Sequence, residues 1–198
     1  MLLLLYDMET PRGLGAYSRA FKRAKSPTSW KKKAPTAAII DSQSVKTTNH
    51  GGERGYDAGK RIMGRKRHLL VDSLGLILLA VVHPANIQDR DGAKQVLYLL
   101  QKRFGWLKIM SVDGGYAGKL IDWVAQLKRH RKIKLEIVKR SDNNKGFKVL
   151  PKRSIVERTF GWLSKHRRLS KDYETKTESS ESMIYIAMIR LMVARISK

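Results

Sequence analysis

The sequence has no cysteine, few acids and no apolar run long enough to cross a bilayer, and each shortage removes a class of function. Without cysteine, neither a disulfide framework nor a thiolate zinc site can form, which fits a reducing cytoplasm. The apolar opening, residues 1–6, is too short for a signal peptide or a membrane span and has no basic residue before it. No long basic amphipathic helix marks a membrane surface. A soluble, cytoplasmic protein without a membrane partner is expected. The five histidines (His50, His68, His83, His130, His166) share no zinc-ligand spacing. The segment from Gly55 to Arg61 looks like a phosphate loop only superficially. Its glycine spacing is one short, and Arg61 stands where Ser or Thr is required. No nucleophile elbow is present.

What the chain has in excess is positive charge. Lysine and arginine number 41 against 17 acids in 198 residues, a formal charge of +24 spread along the chain. Such a domain repels itself unless an anionic partner screens it. Nucleic acid is the leading partner, because lysine and arginine that neutralise phosphates release condensed counterions. The densest basic clusters are Arg54 to Arg67, with Lys60, Arg61, Arg65 and Lys66, and Lys165 to Lys171, with Arg167 and Arg168. A solvated charge face is the plain reading of either. Interleaved glycine, Tyr56 and Trp162 favour backbone tracking and base stacking.

The length fits one domain. Residues 1–34, with glycines, prolines and the run Lys31 to Lys33, show no apolar period and read as a poorly ordered lead-in. From Thr36 the pattern predicts a strand through Ile39, Ile40 and Asp41 to Val45. A glycine-rich mobile loop is expected over 49–59, then a hairpin of Arg67 to Val71 and Leu76 to Val82, ended by Pro84. A helix follows Asp89 and Asp91, with Ala93, Val96, Leu97 and Leu100 on one face. Next come a strand from Leu107 to Val112, a helix over 117–129, a strand from Ile133 to Val138, and helices over 152–169 and 180–196. That order predicts an α/β fold, a mixed sheet flanked by helices.

Three acids stand out by placement. Asp41 interrupts an apolar strand, where an unpaired carboxylate is costly to bury. Asp113 closes another strand before a glycine turn, and open α/β sheets gather ligands at the carboxyl ends of strands. Glu157 is the only acid on the polar face of its helix, and Gly161 one turn on leaves space beside it. Each has a plain structural reading too: a hydrogen-bonded strand end, a turn aspartate, and a helix ion pair with Arg153 worth about 0.3–0.5 kcal/mol. Together, in so basic a chain, they favour a site of hard oxygen ligands for Mg²⁺ or Mn²⁺.

Several blocks then point to a family: Ala-Ile-Ile-Asp41-Ser-Gln-Ser-Val-Lys-Thr, Arg-Gly-Tyr-Asp-Ala-Gly-Lys, Gly-Arg-Lys-Arg-His-Leu-Leu-Val-Asp, Val-His-Pro-Ala-Asn-Ile-Gln-Asp-Arg-Asp-Gly and Val-Glu157-Arg-Thr-Phe-Gly-Trp-Leu. From about Pro35 to the C-terminus the chain resembles insertion-sequence DDE transposases of the IS-five group. The resemblance implies a ribonuclease H-like catalytic domain over 35–198, with a mixed five-stranded sheet. It implies that Asp41, Asp113 and Glu157 are catalytic and hold Mg²⁺, with Mn²⁺ as substitute, for DNA strand cleavage and strand transfer. DNA, as transposon ends and target, is the implied partner, and a homo-oligomer on that DNA is compatible with it. The wider superfamily carries Tyr-x2-Arg-x3-Glu-x6-Lys. Arg153 and Glu157 match it, Leu150 replaces the tyrosine, and Lys165 falls one residue late. Arg153 and Lys165 join Lys60, Arg61, Arg65, Lys66, Arg167 and Arg168 as expected DNA contacts. Relatives carry a helical region before the first catalytic strand that residues 1–34 do not resemble, so a truncated lead-in is expected. A non-catalytic nucleic-acid-binding protein and an inactive remnant are the rivals.

Overall fold

The computed structural model describes residues 35–49, 52–104, 107–114, 133–138 and 151–196. The lead-in of residues 1–34 and the helix expected over 117–129 lie outside the described residues. Among the described residues, six strands form one sheet: β1 (Ala37–Lys46), β2 (Gly55–Asp57), β3 (Ile62–Val71), β4 (Ile77–Pro84), β5 (Ile109–Asp113) and β6 (Lys134–Val138). Three helices among the same residues accompany them: α1 (Asp89–Arg103), α2 (Pro151–Ser164) and α3 (Thr177–Ile196), with a 3₁₀ turn at Arg167–Leu169.

The β1–β3 and β3–β4 pairs are antiparallel, whereas β1–β5 and β5–β6 are parallel. Short β2 also pairs with β3, continuing the edge that β4 occupies. A meander followed by parallel strands is the mixed α/β sheet of a ribonuclease H-like fold, as the sequence implied. Three details differ from that reading. The described sheet has six strands rather than five, part of the glycine-rich segment is strand rather than loop, and β3 begins at Ile62, five residues before the expected Arg67. The physical cause of the last lies in the partners of Arg65, Lys66 and Arg67.

Side-chain alternation along each strand builds a core on both faces of the sheet. Ala38, Ile40, Leu70, Leu79 and Val81 pack on Ala93, Val96, Leu97 and Leu100 of α1. Ile39, Leu69, Val71, Ile77 and Val82 meet Val156, Phe160 and Leu163 of α2 and Ile184, Tyr185 and Met188 of α3. The hairpin turn is tight against α2. Gly75 has φ +80°, and a Cβ there would lie 2.8 Å from Thr159 Oγ1, whose hydroxyl donates to the Gly75 carbonyl. Only glycine combines that conformation with that approach.

Beyond Gly64, strand β3 buries four consecutive polar residues, Arg65, Lys66, Arg67 and His68. Arg65 and Arg67 point toward the α2/α3 side. Arg65 pairs with Asp172 at 3.1 Å, both side chains fully buried, and donates to the carbonyls of Glu53, Glu174 and Thr175. Arg67 donates to the carbonyls of Leu169 and Lys171. Lys66 points the other way, to Asp89 at 2.9 Å, Asp57 at 3.6 Å and the Ile87 carbonyl. His68 stacks on His83 with ring centroids 4.8 Å apart, and burial pushes it down to about 3, so it is neutral.

Helix α3 closes the exposed edge of β4, which would otherwise offer unpaired N–H groups. The Ala80 N–H donates to Tyr185 Oη at 2.9 Å, and the Val82 N–H to Glu181 Oε1 at 3.0 Å. Among the described residues no helix is long and apolar enough to cross a membrane.

These contacts set the stability of the fold in two measurable ways. Asp172→Asn leaves two buried guanidinium groups without their carboxylate and should lower unfolding free energy in urea by about 3–5 kcal/mol. A change near zero would show that the backbone carbonyls suffice. Burial raises Glu181 from 4.5 to about 7, so its protonated form is the one that folding favours. That contribution is present below about 4.5 and is lost as pH rises through about 7. Glu181→Gln, neutral at all pH, should be more stable than wild type at pH 8 by on the order of 1 kcal/mol. The gap should close toward pH 5; a constant gap would contradict the assignment.

Candidate active site

Asp41 sits where β1 runs past the end of β5. The parallel pairing matches Ile39 with Ser111, and the same register carried two residues further brings Asp41 level with Asp113, the last residue of β5. Both carboxylates therefore emerge on one face at the carboxyl end of a parallel strand pair, where helical crossovers leave room for a ligand. They line one cavity with Arg153, walled by Ile39, Val112, Val138 and Val156.

Helix α2 supplies the rest. Val156, Thr159, Phe160 and Leu163 are buried beneath it, and Arg153, Glu157, Arg158 and Gly161 are exposed, the division the helical period predicts. A Cβ at Gly161 would meet open space. Arg153 links the helix to the sheet: its Nε donates to Glu157 Oε1 at 2.8 Å, and its Nη1 lies 3.2 Å from Asp113 Oδ2. The structure thus gathers Asp41, Asp113, Arg153 and Glu157, with Glu157 joined to the aspartates through the guanidinium. Among the described residues no three His, Asp or Glu side chains converge with metal-ligand spacing.

The electrostatics of the site are uneven. Partial burial raises Asp41 from 3.8 to about 6, and the charge of Asp113 pushes the same way. The Ser42 N–H, donating to Asp41 Oδ1 at 2.7 Å, and the charges of Arg153 and Lys60 oppose it. Asp113 accepts the Gly114 N–H. Glu157 raises Arg153 further, with Asp113 and Asp41 adding to it. The oxygen-only donor set suits a hard divalent cation such as Mg²⁺ or Mn²⁺. Arg153 already occupies the place of a cation between Asp113 and Glu157. Asp41 and Asp113 share the cavity, and Glu157 reaches them only through Arg153.

The expected DNA contacts divide. Lys60 and Arg61 are exposed at the β2–β3 turn, and the Asp57 carboxylate, itself bonded by Ser44, anchors that turn through the Lys60 N–H. Lys165, Arg167 and Arg168 are exposed beyond α2, with Arg168 paired to Glu174 at 2.8 Å. Arg65 and Lys66 are corrections. Their charged ends are spent on Asp172, Asp57, Asp89 and backbone carbonyls inside the fold, so neither is free to meet a phosphate. Missed at the level of sequence were Asp57, Asp89 and Asp172 as their partners. Asp89 also accepts from Ser42 Oγ at 2.9 Å, next to Asp41. The available signal was a charged run leading without a break into Leu69, Leu70 and Val71, which implies one continuous strand.

A family model described as "Transposase DDE domain" matches residues 32–192. No curated protein matches. Among solved structures, the chain is similar to one described as the crystal structure of the Mos1 mariner paired end complex with Mn, at 11% identity. The match covers 96% of this chain and 60% of that chain, with a TM-score of 0.37. The family match extends over most of the chain and includes all three carboxylates: the protein belongs to the transposase DDE domain family.

Proposed function

We propose that residues 35–198 form the catalytic domain of an insertion-sequence transposase of the IS-five group. It cleaves DNA at the element's ends and transfers the strands, with Asp41, Asp113 and Glu157 as cation ligands. The observation that carries this reading is the level placement of Asp41 and Asp113 in one cavity at the ends of parallel strands, with Glu157 tied to them across α2.

Asp41 and Asp113 would hold the ion and Glu157 would complete its oxygen shell. A divalent cation there supplies Lewis acidity for an in-line phosphoryl displacement. The chain's own residues do the rest by position. The apolar walls from β1, β5, β6 and α2 keep the carboxylates partly out of water, which strengthens their pull on a cation. Lys60, Arg61, Arg153, Lys165, Arg167 and Arg168 surround them with positive charge that draws in and aligns phosphates. No side-chain nucleophile is called for, in keeping with a site made of carboxylates and basic side chains. Membership of the transposase DDE domain family supports DNA as the substrate and agrees with the hard-cation chemistry of the donor set.

Asp41→Asn, Asp113→Asn and Glu157→Gln should each lower Mg²⁺-dependent cleavage of labelled end DNA by roughly 10²-fold or more, because each removes charge that positions the ion. Two variants that cleave normally would refute the site. Replacing Lys60 and Arg61 by alanine should flatten the slope of log DNA affinity against log salt by about 2. An unchanged slope would remove the β2–β3 turn from the interface.

A further inference from the structure

Arg153 does more than an ordinary ion pair within a helix requires. Such pairs are strongest with the acid on the N-terminal side, whereas here the base precedes the acid by four residues, so the pair adds less to the helix than the other order would. The same guanidinium leaves its own helix and reaches Asp113 on β5. Its two contacts use different nitrogens, Nε for Glu157 and Nη1 for Asp113, so the planar group spans the gap between both carboxylates. It also lines the cavity with Asp41, whose charge it favours. One positive charge belonging to the chain therefore stands between Asp113 and Glu157, beside Asp41.

The bridge is also built to open. The side chains of Arg153, Asp113 and Glu157 are 46%, 37% and 54% exposed, so solvent can replace each contact without unfolding anything. Exposed pairs of this kind contribute only ~0.2–1 kcal/mol each. A fully buried pair, as Arg65 and Asp172 form in the same molecule, would not exchange so easily. Asp41 and Asp113 are near enough for the charge of one to disfavour the charge of the other.

We propose that Arg153 is a counter-cation of this site: its guanidinium bridges Asp113 and Glu157, and a divalent cation must displace it to bind. This rests on the reading of the three carboxylates as a cation site. The arginine then competes with the ion and lowers its affinity. A residue that instead oriented Glu157 for the ion would have the opposite effect, since its loss would weaken binding.

The test is Mn²⁺ titration by calorimetry into the full chain without DNA, on wild type, Arg153→Gln, Arg153→Lys and Asp113→Asn, each first checked for native circular dichroism. Arg153→Gln should bind Mn²⁺ about three- to tenfold more tightly than wild type, the range expected for losing two exposed pairs. Arg153→Lys, which keeps the charge, should stay nearer wild type. Equal or weaker binding by Arg153→Gln, while Asp113→Asn loses binding, overturns the counter-cation role alone. Wild type that binds no Mn²⁺, or Asp113→Asn that binds as tightly, overturns the cation site and this proposal with it. As a second readout, the Arg153 Nε–H resonance should shift when diamagnetic Mg²⁺ is added, and a resonance that stays fixed through saturation contradicts displacement.

Discussion

The ion cluster around Arg65, Arg67 and Asp172 decides where everything else in the described structure can lie. Two arginines on β3 point into the face covered by α2 and α3, and their donors are taken up by one carboxylate and the carbonyls of the segment between those helices. Asp172 in turn bonds through its backbone to Lys46 and Thr48 at the end of β1. The chain leaving α2 is thereby fixed to both central strands. Burying such charges costs several kcal/mol per ion unless their donors are met, and all but the Arg67 Nε find a partner, so the segment has little freedom to sit elsewhere. Apolar packing of Val156, Phe160 and Leu163 then sets the rotation of α2, and Arg153 and Glu157 fall on the side facing Asp113.

The same strand separates two uses of positive charge. Arg65 and Lys66 are structural because their pairing partners are interior. Lys60, Arg61, Arg167 and Arg168 stay at the surface, where charge acts on approaching phosphates over about a Debye length of 8–10 Å. Arg153 lies between these extremes, half-exposed and paired with acids that themselves belong to the site. A basic protein can thus hold Asp113 and Glu157 near one another because one of its own cations lies between them.

Much of this was legible in the sequence where the signal is local. The apolar run into Asp41, Pro84 at the end of β4, and the Ala93, Val96, Leu97 and Leu100 stripe of α1 are all found as read. Asp41 and Asp113 could be singled out because an acid at the end of an apolar strand is costly without a purpose. What the sequence hid depends on distant partners. Arg65 looks like a surface charge until Asp172, more than a hundred residues later, is placed beside it. The Arg153 contact with Asp113 is equally invisible, since helical spacing reveals only the Glu157 half. The expected helix over 152–169 breaks at Ser164 because Arg67 takes the Leu169 and Lys171 carbonyls, bending the chain toward β3.

The central claim is that Asp41, Asp113 and Glu157 surround one cation site, and iron-directed backbone cleavage tests it most directly. Fe²⁺ bound in place of Mg²⁺, with ascorbate and peroxide, cuts the chain near the ion. The account predicts fragments ending close to residues 41, 113 and 157, all suppressed by excess Mg²⁺. Mg²⁺-sensitive cuts clustered elsewhere, or near only one of the three, would contradict it.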